Sequence, residues 1–331
     1  MKQKIMLVLA VLLLCVACHE KKDYSKLPPE LAKLCQQIDK DDKNPENYFL
    51  RYQYYLENGQ PEAALNDLLQ CIKLKGDEPK YHVALADYYF SQNKTDDAEE
   101  SLQKAIQIDP KCNEAYLKLA ELYFHLKMFS ECNTTLDDAL KVQNHNPRAH
   151  LIRAFLLKEQ GDTTGCVRML QLTIDQDPKE VKAFLELGYI YQMRKDPLAI
   201  TYYQNALAVD PTNEEINFNL ALLYQDLGDL ENAKNQYNKI LSFDSDNLRA
   251  LFNLGYVVLI YDKNYDEAIS YFSKVLETEP DYVEALTNRA IAFEENKQYE
   301  EARADYQMAL KLDPHYASAI AGMNRMDKKS K

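Results

Sequence analysis

Seven cysteines, six histidines and a surplus of carboxylates are the residues of this chain with chemistry to offer. Their spacing withholds it. Beyond Cys15 and Cys18 the thiols are Cys35, Cys71, Cys112, Cys132 and Cys166, and no two of these five stand in Cys-x-x-Cys spacing. The histidines do not combine with them at the intervals that hold zinc. There is no Gly-rich phosphate loop, no nucleophile elbow and no His-Glu-x-x-His. The acidic pairs Glu99-Glu100, Asp137-Asp138, Glu294-Glu295 and Glu300-Glu301 are sequence neighbours, so on a helix they point about 100° apart and read as solvated faces. His125 and His145 read as surface residues. The expectation is a chain with no catalytic residue, no metal and no cofactor, and with no disulfide required of it.

The elements that carry these residues repeat. From Val283 to Tyr316 the chain spells two amphipathic helices, the first with Leu286, Ala290 and Phe293 on one face, the second with Ala302, Tyr306 and Ala309. Asp313-Pro314 must end the second, because proline and its predecessor resist helical geometry. Steps of 34 residues upstream recover the same columns. Ala302 stands in line with Ala64, Ala98, Cys132, Cys166, Ala199, Ala233 and Ala268. Ala290 stands with Tyr52, Ala86, Ala120, Ala154, Gly188, Ala221 and Gly255; Tyr306 with Leu68, Leu102, Leu136, Leu170, Tyr203, Tyr237 and Phe272. One deletion near Lys195 and one insertion near Tyr261 keep the register, and eight copies fill residues 45–316. Small residues facing large ones let two antiparallel helices approach closely.

A 34-residue helix-turn-helix period with these columns resembles the tetratricopeptide repeat family over about four-fifths of the chain. The resemblance implies an all-α fold, a right-handed superhelical solenoid. The family's usual Trp is missing, its column holding Tyr48, His82, Tyr116, His150, Phe184, Asn217, Leu251 and Leu286. Residues 30–44 read as an N-terminal capping helix and residues 317–331 as a C-terminal capping helix and tail, which shield the ends of such an array.

Residues 1–17 read as a signal peptide: Lys2 and Lys4, then an apolar run from Ile5 to Val16 too short to span a bilayer. Leu14-Cys15-Val16-Ala17-Cys18 resembles the bacterial lipobox, which implies lipidation of Cys18 and a polar tether over residues 18–29. An ordinary cleaved leader is the other reading of this segment. The formal charge of −13 becomes −15 once Lys2 and Lys4 leave with the leader, a balance that disfavours nucleic acid and anionic lipid as partners.

Binding is what remains. In the family, positions one and five residues after the Trp column line a concave groove. Here they are Phe49 and Gln53, Val83 and Asp87, Leu117 and Glu121 nearest the N-terminus. The middle carries Leu151 with Phe155, Leu185 with Tyr189, Phe218 with Leu222, and Phe252 with Tyr256, and the last copy Thr287 with Ile291, near Glu294 and Glu295. The expected site is Phe155, Leu185, Tyr189, Phe218, Leu222, Phe252 and Tyr256. The same side chains have a second reading, as packing between neighbouring first helices. The resulting expectation is a non-enzymatic scaffold, lipid-anchored in a bacterial cell envelope and facing the periplasm, with exposure at the cell surface as the other orientation. It would bind a protein or peptide segment with an apolar centre and basic flanks. The alternative is a self-associating structural protein, read most simply as a homodimer.

Overall fold

The computed structural model describes residues 23–329, so the leader and Cys18 lie outside the described residues. What it describes is all helix: an all-α solenoid of helix-turn-helix repeats, with no strand among the described residues. The chain divides into two compact units, Met1–His145 and Asn146–Lys331. The first holds α1 (Pro29–Lys40) and three helix pairs, α2 (Pro45–Glu57) with α3 (Pro61–Leu74), α4 (Pro79–Ser91) with α5 (Thr95–Ile108), and α6 (Asn113–His125) with α7 (Phe129–Val142). The second holds five pairs: α8 (Pro147–Glu159) with α9 (Thr163–Gln176), α10 (Val181–Met193) with α11 (Leu198–Val209), α12 (Glu214–Asp226) with α13 (Leu230–Phe243), α14 (Leu248–Val257) with α15 (Tyr265–Thr278), and α16 (Val283–Glu295) with α17 (Tyr299–Leu312). A final helix, α18 (Ala317–Lys329), follows them.

The columns are the core. Every member of the Ala302 column is at most 1% exposed, and every member of the Tyr306 column at most 3%. Burying a large side chain of that second column is worth about 2 kcal/mol. Where the column holds tyrosine, its hydroxyl has a partner on the preceding helix. Tyr203 donates to Gln192 at 2.7 Å, Tyr237 to Gln225 at 3.2 Å and Tyr306 to Glu294 at 3.0 Å.

Each pair turns on one left-handed residue at φ between 53° and 80°: Gly59, Asn93, Lys127, Gly161, Lys195, Gly228, Lys263 and Lys297. In seven turns the next amide reaches back five residues, as Gln60 N–H does to Tyr55 O (2.8 Å) and Gln298 N–H to Phe293 O (2.8 Å). The eighth turn absorbs the extra residue near Tyr261. There α14 runs into a π turn, Val258–Asp262, and Asn264 N–H reaches back six residues to Val258 O. The missing residue near Lys195 is taken from α11, which has 12 residues where the other second helices have 14.

The first and last pairs share a clamp. Arg51 grips Asp67 through Nε and Nη2, both at 2.7 Å, and Arg289 grips Asp305 at 2.7 and 2.9 Å. Arg51 also donates to Cys35 Sγ on α1 (3.2 Å), as Arg289 donates to Ser273 Oγ on α15 (3.1 Å). The helix α1 therefore stands to α2 as a second helix stands to the first helix of the next pair. At the other end α18 is held by Arg325, which donates to the buried Glu294 at 2.8 Å.

Candidate protein-binding groove

Counted from the start of each first helix, residues six, nine and thirteen are separated by three and four, so on α-helical geometry they share one face; α14 ends before its thirteenth position, which falls at Ile260 in the π turn. In residues 146–331 the ninth residues are Phe155, Tyr189, Leu222, Tyr256 and Ile291. Tyr189 is 48% exposed and the other four are half-buried. This is the column five residues beyond the missing Trp, and it is the open one. The column one residue beyond behaves differently. Val83, Leu117, Leu151, Phe218 and Thr287 are all buried, and only Phe49, Leu185 and Phe252 remain half-buried. The two readings that the sequence leaves level therefore divide by column. Position one packs between neighbours and position five faces outward.

Phe218 is 6% exposed, edge-on to Tyr237 at 5.9 Å and covered by the Arg249 guanidinium 3.8 Å above its ring. Phe252 stacks on Tyr282 at 5.1 Å and meets Phe272 at 5.8 Å. Leu185, Leu222, Phe252, Tyr256 and Ile291 all rest against one core cluster. Phe155 rests on the neighbouring cluster around Leu151 and Ile190. Lys158 leans from α8 over the Tyr189 ring (5.7 Å) while paired with Glu186 at 2.6 Å.

Sequence reasoning missed Met193 and Ile260, 68% and 42% exposed, each one helical turn past a predicted tyrosine. The i+4 step from Tyr189 and Tyr256 finds both. It misplaced Glu294, which is 4% exposed and turned into the core toward Tyr306 and Arg325, leaving Glu295 as the exposed carboxylate of that turn. Thr287 likewise faces inward, donating to Val283 O at 2.8 Å.

In residues 1–145 the ninth-residue column of this face is polar, holding Gln53, Asp87 and Glu121. Lys118 crosses to Asp87 at 2.8 Å and lies 3.9 Å from Glu114. Beside them a cleft of about 160 Å³ is lined by Asp87, Phe90, Lys118, Glu121 and His125, with the Phe90 and His125 rings 5.4 Å apart.

No titratable group on either face has the setting of an acid, base or nucleophile. The thiols of Cys71, Cys132 and Cys166 are buried in packing columns, and burial together with Asp67 pushes Cys71 up to about 12. Among the described residues no three His, Cys, Asp or Glu come together as a metal ion would need. All five described cysteines are free thiols, and no described helix is long and apolar enough to cross a membrane.

Comparisons with known proteins agree on the architecture. The profile "Tetratricopeptide repeat protein 21 N-terminal ARM repeat" matches residues 120–322, more than half of the chain, and the profile "TPR repeat" matches residues 86–127. Tetratricopeptide repeat protein 6 of Homo sapiens is 26% identical over 144 residues, which is 44% of this chain and 28% of that protein. The chain thus matches little more than a quarter of that relative's length. Among solved structures, the C-terminal part of a TPR repeat-containing protein from Cytophaga hutchinsonii superposes with a TM-score of 0.61 at 19% identity, covering 74% of this chain and 99% of that one. Pseudomonas aeruginosa pilF superposes with a TM-score of 0.52 at 20% identity, covering 62% and 94%. At these identities the likeness is of the fold.

Proposed function

The chain belongs to the tetratricopeptide repeat family, and from that premise we propose that it holds a segment of a partner protein on the open first-helix face of residues 146–331. It is a non-enzymatic scaffold. The observation that carries the reading is the ninth-residue column, where Phe155, Tyr189, Leu222, Tyr256 and Ile291 stand in register and none is fully buried by the protein's own packing. Aromatic and aliphatic side chains held open on a rigid surface serve as anchors when a partner desolvates them. The partner segment is apolar at its centre with basic residues flanking it, to meet carboxylates such as Glu295.

Photo-crosslinkers placed at Tyr189 and Tyr256 test this. They should capture a partner that a crosslinker at Gln53 does not, and Tyr189→Ala with Tyr256→Ala should release it. Phe252 is a poorer probe because its stacking on Tyr282 holds the fold. A set of co-purifying proteins unchanged by the tyrosine pair would sink the reading.

The finer reading adds lipidation at Cys18, outside the described residues, and a place in a bacterial envelope assembly facing the periplasm. What supports it is the sequence from Leu14 to Cys18. Cys18→Ser should move the protein from the membrane fraction to the soluble one, and retention on membranes would end the proposal. Self-association by end-to-end stacking is disfavoured by what the ends carry. Glu30 and Gln37 on α1, and Asn324 and Asp327 on α18, occupy columns that are otherwise mostly small or apolar. Light scattering should accordingly show no concentration-dependent dimer.

A further inference from the structure

The described chain begins beside its first helix and is fastened to it. Tyr24 and Leu27 pack against the core cluster that holds Leu31, Cys35 and Tyr52. Leu27 N–H closes a turn onto Tyr24 O at 3.0 Å, and the Tyr24 hydroxyl donates to Asp39 at 2.5 Å, near the far end of α1. Cys18 stands six residues before Tyr24, and six residues span at most about 20 Å whatever their conformation. The helix α1 is itself about 18 Å long. A lipid on Cys18 would therefore keep α1 within about one helix length of the bilayer.

The outer side of α1 suits that neighbour. Leu31, Cys35 and Ile38 are its buried residues. Lys33 stands two residues from Leu31 and from Cys35, and Lys40 two from Ile38, a step of about 200° that sets both lysines opposite the core. Both are exposed, as are Gln36 between them and Lys26 in the turn before the helix. No ion pair among the described residues engages Lys26, Lys33 or Lys40. Glu30 and Asp39 are each one residue from a core position and so flank this strip, with Asp39 accepting from Tyr24. Charge is also uneven along the chain. Residues 18–43 hold six lysines and six carboxylates, so the −15 left after the leader is carried wholly by residues 44–331. The overall balance disfavours anionic lipid, yet this end is neutral and its outermost charges are cations.

We propose that the strip of Lys26, Lys33 and Lys40 rests on the phospholipid headgroups of the membrane that holds Cys18, so that the α1 end of the first unit faces the bilayer. This rests on the reading of Cys18 as lipid-bearing. Within a Debye length of about 8–10 Å an anionic surface attracts lysines and repels carboxylates, so both forces favour the same orientation. The short leash sets how near α1 lies, and the charges set which side of it meets the lipid.

The chain contains no tryptophan, so a single introduced one reports its own position. The lipidated full chain would be reconstituted into phosphatidylethanolamine–phosphatidylglycerol vesicles that carry a nitroxide-headgroup lipid as quencher. Quenching of Gln36→Trp should exceed that of Gln107→Trp, an exposed position on α5 of the same unit, by roughly threefold or more. The excess should fall by about half or more on phosphatidylcholine vesicles, in about 0.5 M salt, or with Lys26→Gln, Lys33→Gln and Lys40→Gln in place. Equal quenching at the two positions, with the protein still on the vesicles, would overturn the orientation and leave the lipid anchor standing. An excess indifferent to lipid charge and to the lysine variant would overturn the role of the strip. Gln36→Trp emission that shifts to the blue with protein concentration, in detergent without vesicles, would put a second copy on α1 and overturn it too. A purified chain whose mass shows no lipid on Cys18 would overturn both the orientation and the anchor.

Discussion

The two compact units use one set of columns for architecture and opposite chemistry for the face they leave open. In residues 1–145 the ninth residues of the first helices are Gln53, Asp87 and Glu121, and Lys118 already serves Asp87. In residues 146–331 they are Phe155, Tyr189, Leu222, Tyr256 and Ile291. Nothing in the packing demands the difference, since the same columns of positions are buried in both units. A position that varies while its structural neighbours stay fixed is free to be set by what binds there.

If the architecture is common to both units, breaking it should do equal harm in each. Arg51→Met and Arg289→Met leave Asp67 and Asp305 buried without their clamps. Fully buried pairs lose about 3–5 kcal/mol in this way. Here the arginine side chains are 20% and 22% exposed, so solvent screening lowers the expected loss. Urea denaturation should show about 2–3 kcal/mol for either variant, and adding Asp67→Leu or Asp305→Leu should recover much of it. A loss confined to one unit would mean that the clamps differ in role.

A second change should harm only residues 146–331. At Gly188 a Cβ would come within 2.5 Å of the Tyr203 ring, so Gly188→Ala forces the ring off its site at a cost of about 2 kcal/mol. Ala86 with Leu102 and Ala120 with Leu136 in the first unit show that alanine and leucine fit together at this contact. Tyr203→Leu should therefore rescue Gly188→Ala, and a failure to rescue would place the strain elsewhere.

Exchanging the faces sharpens the comparison further. Tyr189→Gln with Tyr256→Asp gives the second unit the chemistry of the first. Stability should fall by no more than about 1 kcal/mol, since Tyr189 is exposed and Tyr256 is half-buried against the core cluster. Partner binding should fall at least tenfold, about 1.4 kcal/mol. Binding by calorimetry and melting by circular dichroism separate the two effects, and a matching loss of both would return Tyr189 and Tyr256 to the core.

The buried columns could be read from the sequence because close helix contact permits few residue types, so Ala302 and its equivalents announce themselves. Depth within the face could not. Phe218 and Leu222 have the same apolar character in sequence, yet Phe218 is buried beneath Arg249, a residue 31 positions away that no local pattern connects to it. Glu294 was legible in principle. Tyr203, Tyr237 and Tyr306 each follow their Gln or Glu partner by 11 or 12 residues, and the leucines of that column have none. A carboxylate at that interval before a column tyrosine marks an inward residue. The turn column is the opposite case, since a lysine in it gives no sign of the backbone it must adopt.

That turn column yields the smallest predicted effect and the closest test of equivalence between the units. Lys127 ends α6 at φ 59° and Lys297 ends α16 at φ 63°, left-handed geometry that disfavours any residue with a Cβ. Glycine already stands at the same point in three turns, Gly59, Gly161 and Gly228. Lys127→Gly and Lys297→Gly each remove the steric penalty, about 1 kcal/mol or more, but enlarge the entropy of the unfolded chain. The net gain should be about 0.5 kcal/mol, equal in the two units. Gly161→Ala, at φ 80°, should lose about 1 kcal/mol by the same reasoning run in reverse. Because Lys127 and Lys297 sit on turns rather than on the open face, partner binding should not change. A variant that gained stability and lost binding would extend the binding surface onto the turns, beyond the face drawn by the sixth, ninth and thirteenth residues.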